Sequence, residues 1–279
     1  MKRRLVLAAT VLLAAGVAGG ATAQVAVRSS DYLFVTNAND VRALWVNPAG
    51  LGMLPEASII GELTLERVMG NEFRVEQYVI GFNTRGISVG YHRTRFDDEP
   101  AVGHLRVGLA LPMRHGALGV TVSRYQQDTT SSRGFDAGLL FMPNPAIQFG
   151  LTARNIGRPE VRGENMLITA IGGAQYMTSR FQLSAEAHAT ERRGVNESGF
   201  DFTYRAGAQA YLPVAFPLVL IGALNLGPNF RIDQLHLGFS IGGTRQVTLM
   251  ASGVPRDDTP VFERFSAGLV ARNLLLGQR

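Results

Sequence analysis

Apolar and polar residues alternate with a period of two from about residue 57 to the end of the chain. In residues 180–190, Phe181, Leu183 and Ala185 point one way, whereas Gln182 and Glu186 point the other. Successive side chains of a strand face opposite sides of a sheet, so each such segment predicts a strand with one apolar and one polar face. The predicted strands are 57–66, 74–83, 86–95, 103–112, 116–125, 134–142, 146–155, 166–176, 179–190, 199–212, 216–226, 232–242, 244–253 and 263–273.

Strand length and connection length indicate how these segments are arranged. Most are nine to twelve residues long, which is longer than the usual globular strand and close to what a tilted strand needs to cross a membrane. Long connections, such as 126–134, 191–198 and 254–262, alternate with short ones, such as 84–85 and 243. Outer-membrane barrels alternate long external loops with tight periplasmic turns in this way. The pattern predicts an all-β fold, a single transmembrane antiparallel up-and-down β-barrel of about 14 strands (residues 57–279), with both termini periplasmic.

The first residues predict export. Lys2, Arg3 and Arg4 precede an apolar stretch over 5–18, and Ala21-Thr22-Ala23 supplies a signal-peptidase site. A signal peptide over 1–23 carries three positive charges and no acids, so its removal takes the net charge from +5 to +2. The remaining arginines are scattered, which argues against a nucleic-acid partner. The longest later apolar run, 214–226, contains Pro217 and is too short for a spanning helix.

Residues 24–56 lack the strand pattern and contain several turn-forming residues. A fourteen-strand barrel is too wide for its own side chains to fill, because about eight strands already reach that limit. We therefore expect this segment to enter the lumen. Two of the predicted strands, 166–176 and 216–226, are apolar on both faces, which suggests that part of the interior is apolar or packed by a plug.

The run Trp45-Val46-Asn47-Pro48-Ala49-Gly50-Leu51 resembles the N-terminal signature of FadL-type fatty-acid transporters and their PorV/PorQ-like relatives. The run at residues 153–157 is similar to a strand-end motif of the same group. The resemblance implies a fourteen-stranded barrel whose N-terminal hatch enters the lumen, with Pro48 setting a rigid turn, Gly50 allowing close approach and Asn47 hydrogen-bonding within the hatch. The implied hatch and ligand-gating residues are Trp45, Asn47, Pro48, Ala49, Gly50, Leu51 and Gly52.

Charged and polar residues on the predicted lumen face form a second candidate set. Both signs occur there, which argues against a strongly ion-selective pore and fits a polar network that holds a plug. No histidine has the spacing of a metal site, and we expect no cofactor. The predicted network residues are Glu62, Arg106, Arg154, Glu186, His188 and Arg205.

Catalysis is not expected. Ser88 and Ser240 each occupy a G-x-S-x-G match, but both fall within alternating strands rather than on the strand-to-helix elbow that a hydrolase needs. An enzymatic alternative is a lipid hydrolase in which such a serine meets a histidine from another strand.

Two functional hypotheses are favoured over the lipid hydrolase. The first is passive transport of small hydrophobic molecules across the bacterial outer membrane. The second is a non-transporting barrel that serves a protein secretion or surface-assembly system. The expected partners are outer-membrane lipids, together with hydrophobic small molecules in the first case and secretion-system proteins in the second.

Overall fold

The computed structural model describes residues 32–53, 56–67, 72–96, 100–194, 197–214, 216–243, 245–256 and 259–273. The predicted signal peptide and residues 24–31, 54 and 55 of the predicted hatch segment lie outside these residues. Two short helices, α1 (Ala43–Val46) and the 3-10 helix Pro48–Gly52, precede the strands. The strands are β1 (Ala57–Arg67), β2 (Phe73–Thr84), β3 (Ile87–Thr94), β4 (Val102–Met113), β5 (Gly116–Gln127), β6 (Thr130–Asn144), β7 (Ile147–Ile156), β8 (Glu160–Val161), β9 (Glu164–Asn165), β10 (Thr169–Met177), β11 (Phe181–Gly194), β12 (Glu197–Pro213), β13 (Pro217–Leu226), β14 (Ile232–Ile241), β15 (Arg245–Arg256) and β16 (Thr259–Asn273).

Fourteen of these strands form one closed antiparallel barrel, which confirms the predicted fold. Each barrel strand pairs with the barrel strands before and after it in the chain, and β1 closes the ring by pairing with β16 from Ala57↔Asn273 to Glu66↔Arg264. The strands β8 and β9 form a separate small hairpin between β7 and β10. Closure leaves no unpaired strand edge, so neighbouring strands satisfy the backbone groups of the wall.

The connections differ from the prediction at one end of the barrel. The segments 126–134, 191–198 and 254–262 were expected to be long loops, but paired strand occupies most of each. Continued pairing satisfies backbone N–H and C=O groups that an open loop would leave to water. The short turns at the other end are as expected, and the β2–β3 turn places Arg85 and Gly86 at positive φ (47° and 85°), the requirement of a tight hairpin turn. We call the two ends the long-connection end and the short-turn end.

The two faces of the wall differ in chemistry. Outward side chains such as Ile80, Leu109 and Leu151 are apolar and more than half exposed. Inward side chains such as Thr121 and Gln148 are polar and buried. In the part of the chain that the structure describes, no helix has the length and apolar character needed to cross a membrane.

Candidate functional site

The described N-terminal residues 32–53, which we call the N-terminal segment, fill space inside the barrel. Every one of them is buried or half-buried. Leu44 and Leu51 are completely buried, and Trp45 is 5% exposed. The segment packs chiefly against the inner faces of β3 to β6 through its two short helices. A lumen too wide for its own side chains is thereby occupied by the same chain.

Three cross-strand pairs of inward glycines make room for this segment. Gly81 pairs with Gly90, and a Cβ atom on Gly90 would lie 2.4 Å from the Trp45 ring. Gly150 pairs with Gly173, where the neighbour is Val35.

The third pair, Gly119 and Gly138, seats the bend between the two helices. A Cβ atom on Gly119 would lie 2.2 Å from the carbonyl carbon of Pro48, and one on Gly138 would lie 1.9 Å from Asn47 Oδ1. Each of the three pairs lies only a few residues from a short turn. We call these three pairs, which lie near the short-turn end, the glycine floor. The segment fits against the wall there because these positions carry no side chains.

Three arginines of the wall donate to backbone carbonyls of the segment. Arg106 Nη1 lies 2.9 Å from the Leu44 carbonyl, and Arg205 Nη1 lies 3.0 Å from the Leu33 carbonyl. Arg154 donates to the carbonyl of Val46. Irregular backbone buried away from water needs such partners, because an unpaired carbonyl there is costly. The predicted lumen arginines thus satisfy the backbone of the segment.

Carboxylates complete this network. Glu186 accepts a hydrogen bond from the Val35 amide and lies 3.2 Å from Arg205 Nη1 and 3.1 Å from His188 Nε2. Glu62 is buried on the inner face of β1. The structure therefore places all six predicted network residues on the inner face; that the network governs transport stays a prediction.

A buried ion pair that the sequence did not reveal supports Arg106. Its Nη1 atom lies 2.9 Å from Asp136 Oδ2, and both side chains are at most 7% exposed. Arg106 Nε donates to His104 Nε2 at 2.9 Å, and the His104 ring stacks on Tyr125 at 3.9 Å between centroids. These contacts fix the direction in which Arg106 reaches Leu44.

Asp40 ties the segment to the last strand. Its carboxylate lies 2.7 Å from Arg42 Nη2 and 3.0 Å from Arg272 Nη2 of β16. Arg42 Nη1 also donates to the Tyr32 hydroxyl at 2.9 Å. Burial by itself would raise the pKa of Asp40, but the two guanidinium groups outweigh burial and hold that pKa well below its usual range.

Asn47 joins the two short helices and fastens them to the wall. It ends α1 and caps the following 3-10 helix, where its Oδ1 accepts from the Ala49 amide at 3.1 Å. Its Nδ2 donates to the Val35 carbonyl at 2.8 Å and to the Leu139 carbonyl of β6 at 3.2 Å.

The neighbouring hatch residues are packed closely. Pro48 is the first residue of the 3-10 helix, where a missing N–H costs nothing. At Gly50, a Cβ atom would lie 1.8 Å from the Ala38 carbonyl oxygen. Ala49 and Leu51 are fully buried, and Gly52 contacts β4 and β5. All seven predicted hatch residues therefore belong to one packed unit; their role in gating stays a prediction.

On the opposite side, the segment meets an apolar wall. Val219 and Ile221 of β13 join Tyr32, Leu33 and other buried residues of the segment in one hydrophobic cluster. This contact explains why the predicted strand 216–226 is apolar on both faces: one face is directed outward and the other packs on the segment.

A cavity of about 140 Å³ lies at the long-connection end, beneath the β8–β9 hairpin. Its lining includes Val102, Tyr125, Gln127, Glu160 and Arg162. A cavity of roughly 150 Å³ with apolar walls holds benzene, so the volume admits one small ring, but these walls are largely polar. The cavity is therefore poorly suited to tight binding of a hydrophobic molecule.

Sequence reasoning missed the glycine floor and Asp136. A glycine recurs in the inward register of successive strands, and marking glycines by strand face would have shown the floor. Ser88 and Ser240 lie within β3 and β14, where Ser88 Oγ donates to the Phe82 carbonyl at 2.9 Å and Ser240 Oγ accepts from Thr248. Neither serine stands on a strand-to-helix elbow.

Comparison with known proteins gives a likeness of fold. No family model and no curated protein matches the chain in sequence. The TodX deltaS2S3 mutant monoaromatic hydrocarbon channel matches with a TM-score of 0.52 and 9% identity, over 83% of this chain and 94% of that one. The CymD monoaromatic hydrocarbon channel matches with a TM-score of 0.50 and 11% identity, over 85% of this chain and 94% of that one. At such identities the likeness concerns the fold alone, and the chain is similar in architecture to these barrel channels.

Proposed function

We propose that the chain is an outer-membrane barrel that admits small hydrophobic molecules, and that the N-terminal segment gates the passage. The observation that carries the proposal is a closed barrel with an apolar outer surface whose lumen is occupied by a short segment of the same chain. A surface of this kind is stable in lipid, because a closed ring of paired strands leaves no unpaired edge. The proposed orientation puts the short turns and both termini in the periplasm.

Hydrophobic cargo is the choice that the surroundings of the segment favour. The segment presents Leu44, Trp45 and Leu51 to its seat, and Val219 and Ile221 face it from β13. A small apolar solute that displaced one of these side chains would meet apolar neighbours. The two proteins of similar fold named above are monoaromatic hydrocarbon channels, which supports the same class of solute here.

A reversible disulfide between the N-terminal segment and the wall tests the proposed gating role. The chain contains no cysteine, so an engineered pair forms the only disulfide. A Cβ atom on Gly52 would lie 3.5 Å from Cβ of Ala117 on β5, which is within the range that disulfides span. The double variant Gly52→Cys/Ala117→Cys therefore links the 3-10 helix to the wall. Ala110 Cβ, 3.2 Å from the same Cβ position, must yield by a few tenths of an ångström.

The assay is uptake of a labelled monoaromatic hydrocarbon by Gram-negative cells that have no other channel for the compound. Whole cells are needed, because a plain phospholipid bilayer passes such compounds by itself. We expect oxidation to slow uptake in the double variant and reduction to restore it, with either single variant unaffected. Equal uptake in the oxidised and reduced states would refute gating by this helix. No uptake above that of cells lacking the chain would refute transport and favour the scaffold role.

A further inference from the structure

The outer surface of β3 to β6 carries a patch of arginines at the long-connection end. Arg93 of β3, Arg124 of β5 and Arg133 of β6 are exposed and occupy outward positions in the alternating burial pattern of their strands. We call these three residues the arginine patch. Among the residues that the structure describes, none of the three makes an ion pair or a side-chain hydrogen bond.

The arrangement of the patch is electrostatically unfavourable by itself. Arg124 and Arg133 are direct cross-strand partners, so their side chains leave the same face of neighbouring strands about 5 Å apart. Like charges in directly opposed positions destabilise a sheet. An anion that bridges the two guanidinium groups would turn this repulsion into attraction.

The patch lies at the edge of the apolar surface that is nearest the long-connection end. The next outward pair toward the short-turn end is Val122 and Phe135, which are 47% and 48% exposed. Two strand residues, a rise of roughly 7 Å, therefore separate arginine from side chains suited to lipid tails. The level of the patch is the level of lipid headgroups once the barrel is inserted.

Two tyrosines complete the outward surface. Tyr78 pairs with Arg93, and the Tyr78 and Tyr91 rings lie 6.1 Å apart on the outer face. Tyrosine is typical of the interface between lipid tails and water. Near the same end of β12 the outward residues are Phe200 and Phe202, both at least half exposed. The described outward surface of β12 at this end is thus aromatic rather than basic.

We infer that the arginine patch binds the phosphate groups of an anionic glycolipid of the outer leaflet, the phosphorylated lipid A part of lipopolysaccharide. Guanidinium groups bind phosphate through paired, charge-assisted hydrogen bonds. A lipid supplies the phosphate and, in the same molecule, the acyl chains that would cover Val122 and Phe135. A free anion or a soluble acidic protein would leave those side chains uncovered. The inference rests on the proposed insertion in the outer membrane.

Native mass spectrometry of the purified barrel in detergent tests the inference. The probes are phosphorylated lipid A and the same lipid A without its phosphates. We expect the phosphorylated form to stay bound and Arg124→Gln/Arg133→Gln to weaken its binding by roughly tenfold or more. Arg93→Gln should weaken it less. Arg245→Gln is the matched control, because Arg245 is exposed and outward at the short-turn end. This variant should bind phosphorylated lipid A as well as the original chain does.

Three results would overturn the inference: equal binding by the double variant, equal binding of dephosphorylated lipid A, or displacement of the lipid by inorganic phosphate alone. Loss of repulsion should leave the double variant at least as resistant to heat as the original chain, so a failure to fold does not obscure the result. Hydrocarbon uptake is a separate readout. A barrel that binds lipid A through these arginines yet passes no hydrocarbon contradicts the proposed transport only, and the reverse result contradicts the lipid site only.

Discussion

Gly90→Ala is the sharpest perturbation of the seat of the N-terminal segment. The Trp45 ring lies against the inward pair Gly81 and Gly90, 2.4 Å from the position that a Cβ atom on Gly90 would take. Real Cβ atoms essentially never come within 3.0 Å of another heavy atom, so the ring must retreat by at least 3.0 − 2.4 = 0.6 Å. Leu44 Cδ2 lies 2.8 Å from the same Cβ position, so this side chain must shift as well.

Two opposing contributions set the size of the effect. Alanine favours the strand over glycine by about 0.5–1 kcal/mol, whereas overpacking a filled core costs about 1–3 kcal/mol. The net expectation for Gly90→Ala is a loss of about 0–2.5 kcal/mol in the free energy of unfolding, with its centre near 1 kcal/mol. Gly172→Ala on β10 is the control, because a Cβ atom there has open space around it. That control should be neutral or slightly stabilising.

Trp45 is the only tryptophan of the chain, so tryptophan fluorescence, excited where tyrosine does not absorb, reports on the segment alone. We expect Gly90→Ala to shift the emission to longer wavelength and to make it more accessible to a soluble quencher, while the circular dichroism of the strands is unchanged. If Gly90→Ala and Gly172→Ala gave the same emission, quenching and unfolding midpoint as the original chain, the glycine floor would not be the seat that the structure describes.

Three further perturbations test other contacts of the segment. Asn47→Ala removes both hydrogen bonds donated by Nδ2 and should lower the free energy of unfolding by about 1–3 kcal/mol in urea titrations; an unchanged midpoint would contradict this. Asp136→Asn leaves Arg106 buried without its carboxylate and should cost about 3–5 kcal/mol, whereas a cost below that of Asn47→Ala would show that other partners neutralise Arg106. Asp40 has a lowered pKa in the folded chain, so its stabilising effect is present above its ordinary value of 3.8 and is lost as the pH falls through the folded value. The stability gap between the original chain and Asp40→Asn should therefore be constant from pH 5 to 8 and close in stronger acid.

The sequence predicts the barrel well because period-two alternation is a local property. All fourteen predicted strands correspond to strands of the barrel with similar bounds; the predicted strand 57–66, for example, corresponds to Ala57–Arg67. Three connections were predicted too long. In 126–134, for example, Ser and Gly residues indicate a turn, but backbone pairing with β5 keeps them in a strand. The residue composition of a connection does not show whether its backbone pairs with a neighbouring strand.

The lumen was only partly predictable. Inward charges such as Arg154 and Glu186 follow from strand parity, but their partners depend on where the N-terminal segment lies, which no local pattern fixes. Asp136 falls on the inward face of β6 and could have been found by parity. The match of Trp45 to the pair Gly81 and Gly90 requires three distant parts of the chain to be placed together, so it becomes visible only in the folded structure.

The floor of glycines also limits how a gate in this barrel could open. The three glycine pairs contribute no side chains at that level, so closure of that side of the lumen depends on the segment. Full burial of a large apolar side chain stabilises by about 1.5–3 kcal/mol, and Leu44, Trp45 and Leu51 are all buried. Releasing all three together would cost at least roughly 5 kcal/mol, which limits the open state to about one molecule in several thousand.

A solute can shift this equilibrium only by the difference in its affinity for the two states. A small apolar molecule that takes the place of a single side chain regains part of the burial that is lost. Opening by local displacement, one side chain at a time along α1 and the 3-10 helix, is therefore far less costly than expulsion of the whole segment. The same reasoning explains why a polar solute, which would leave the vacated apolar surface without a partner of its own kind, is not expected to open the barrel.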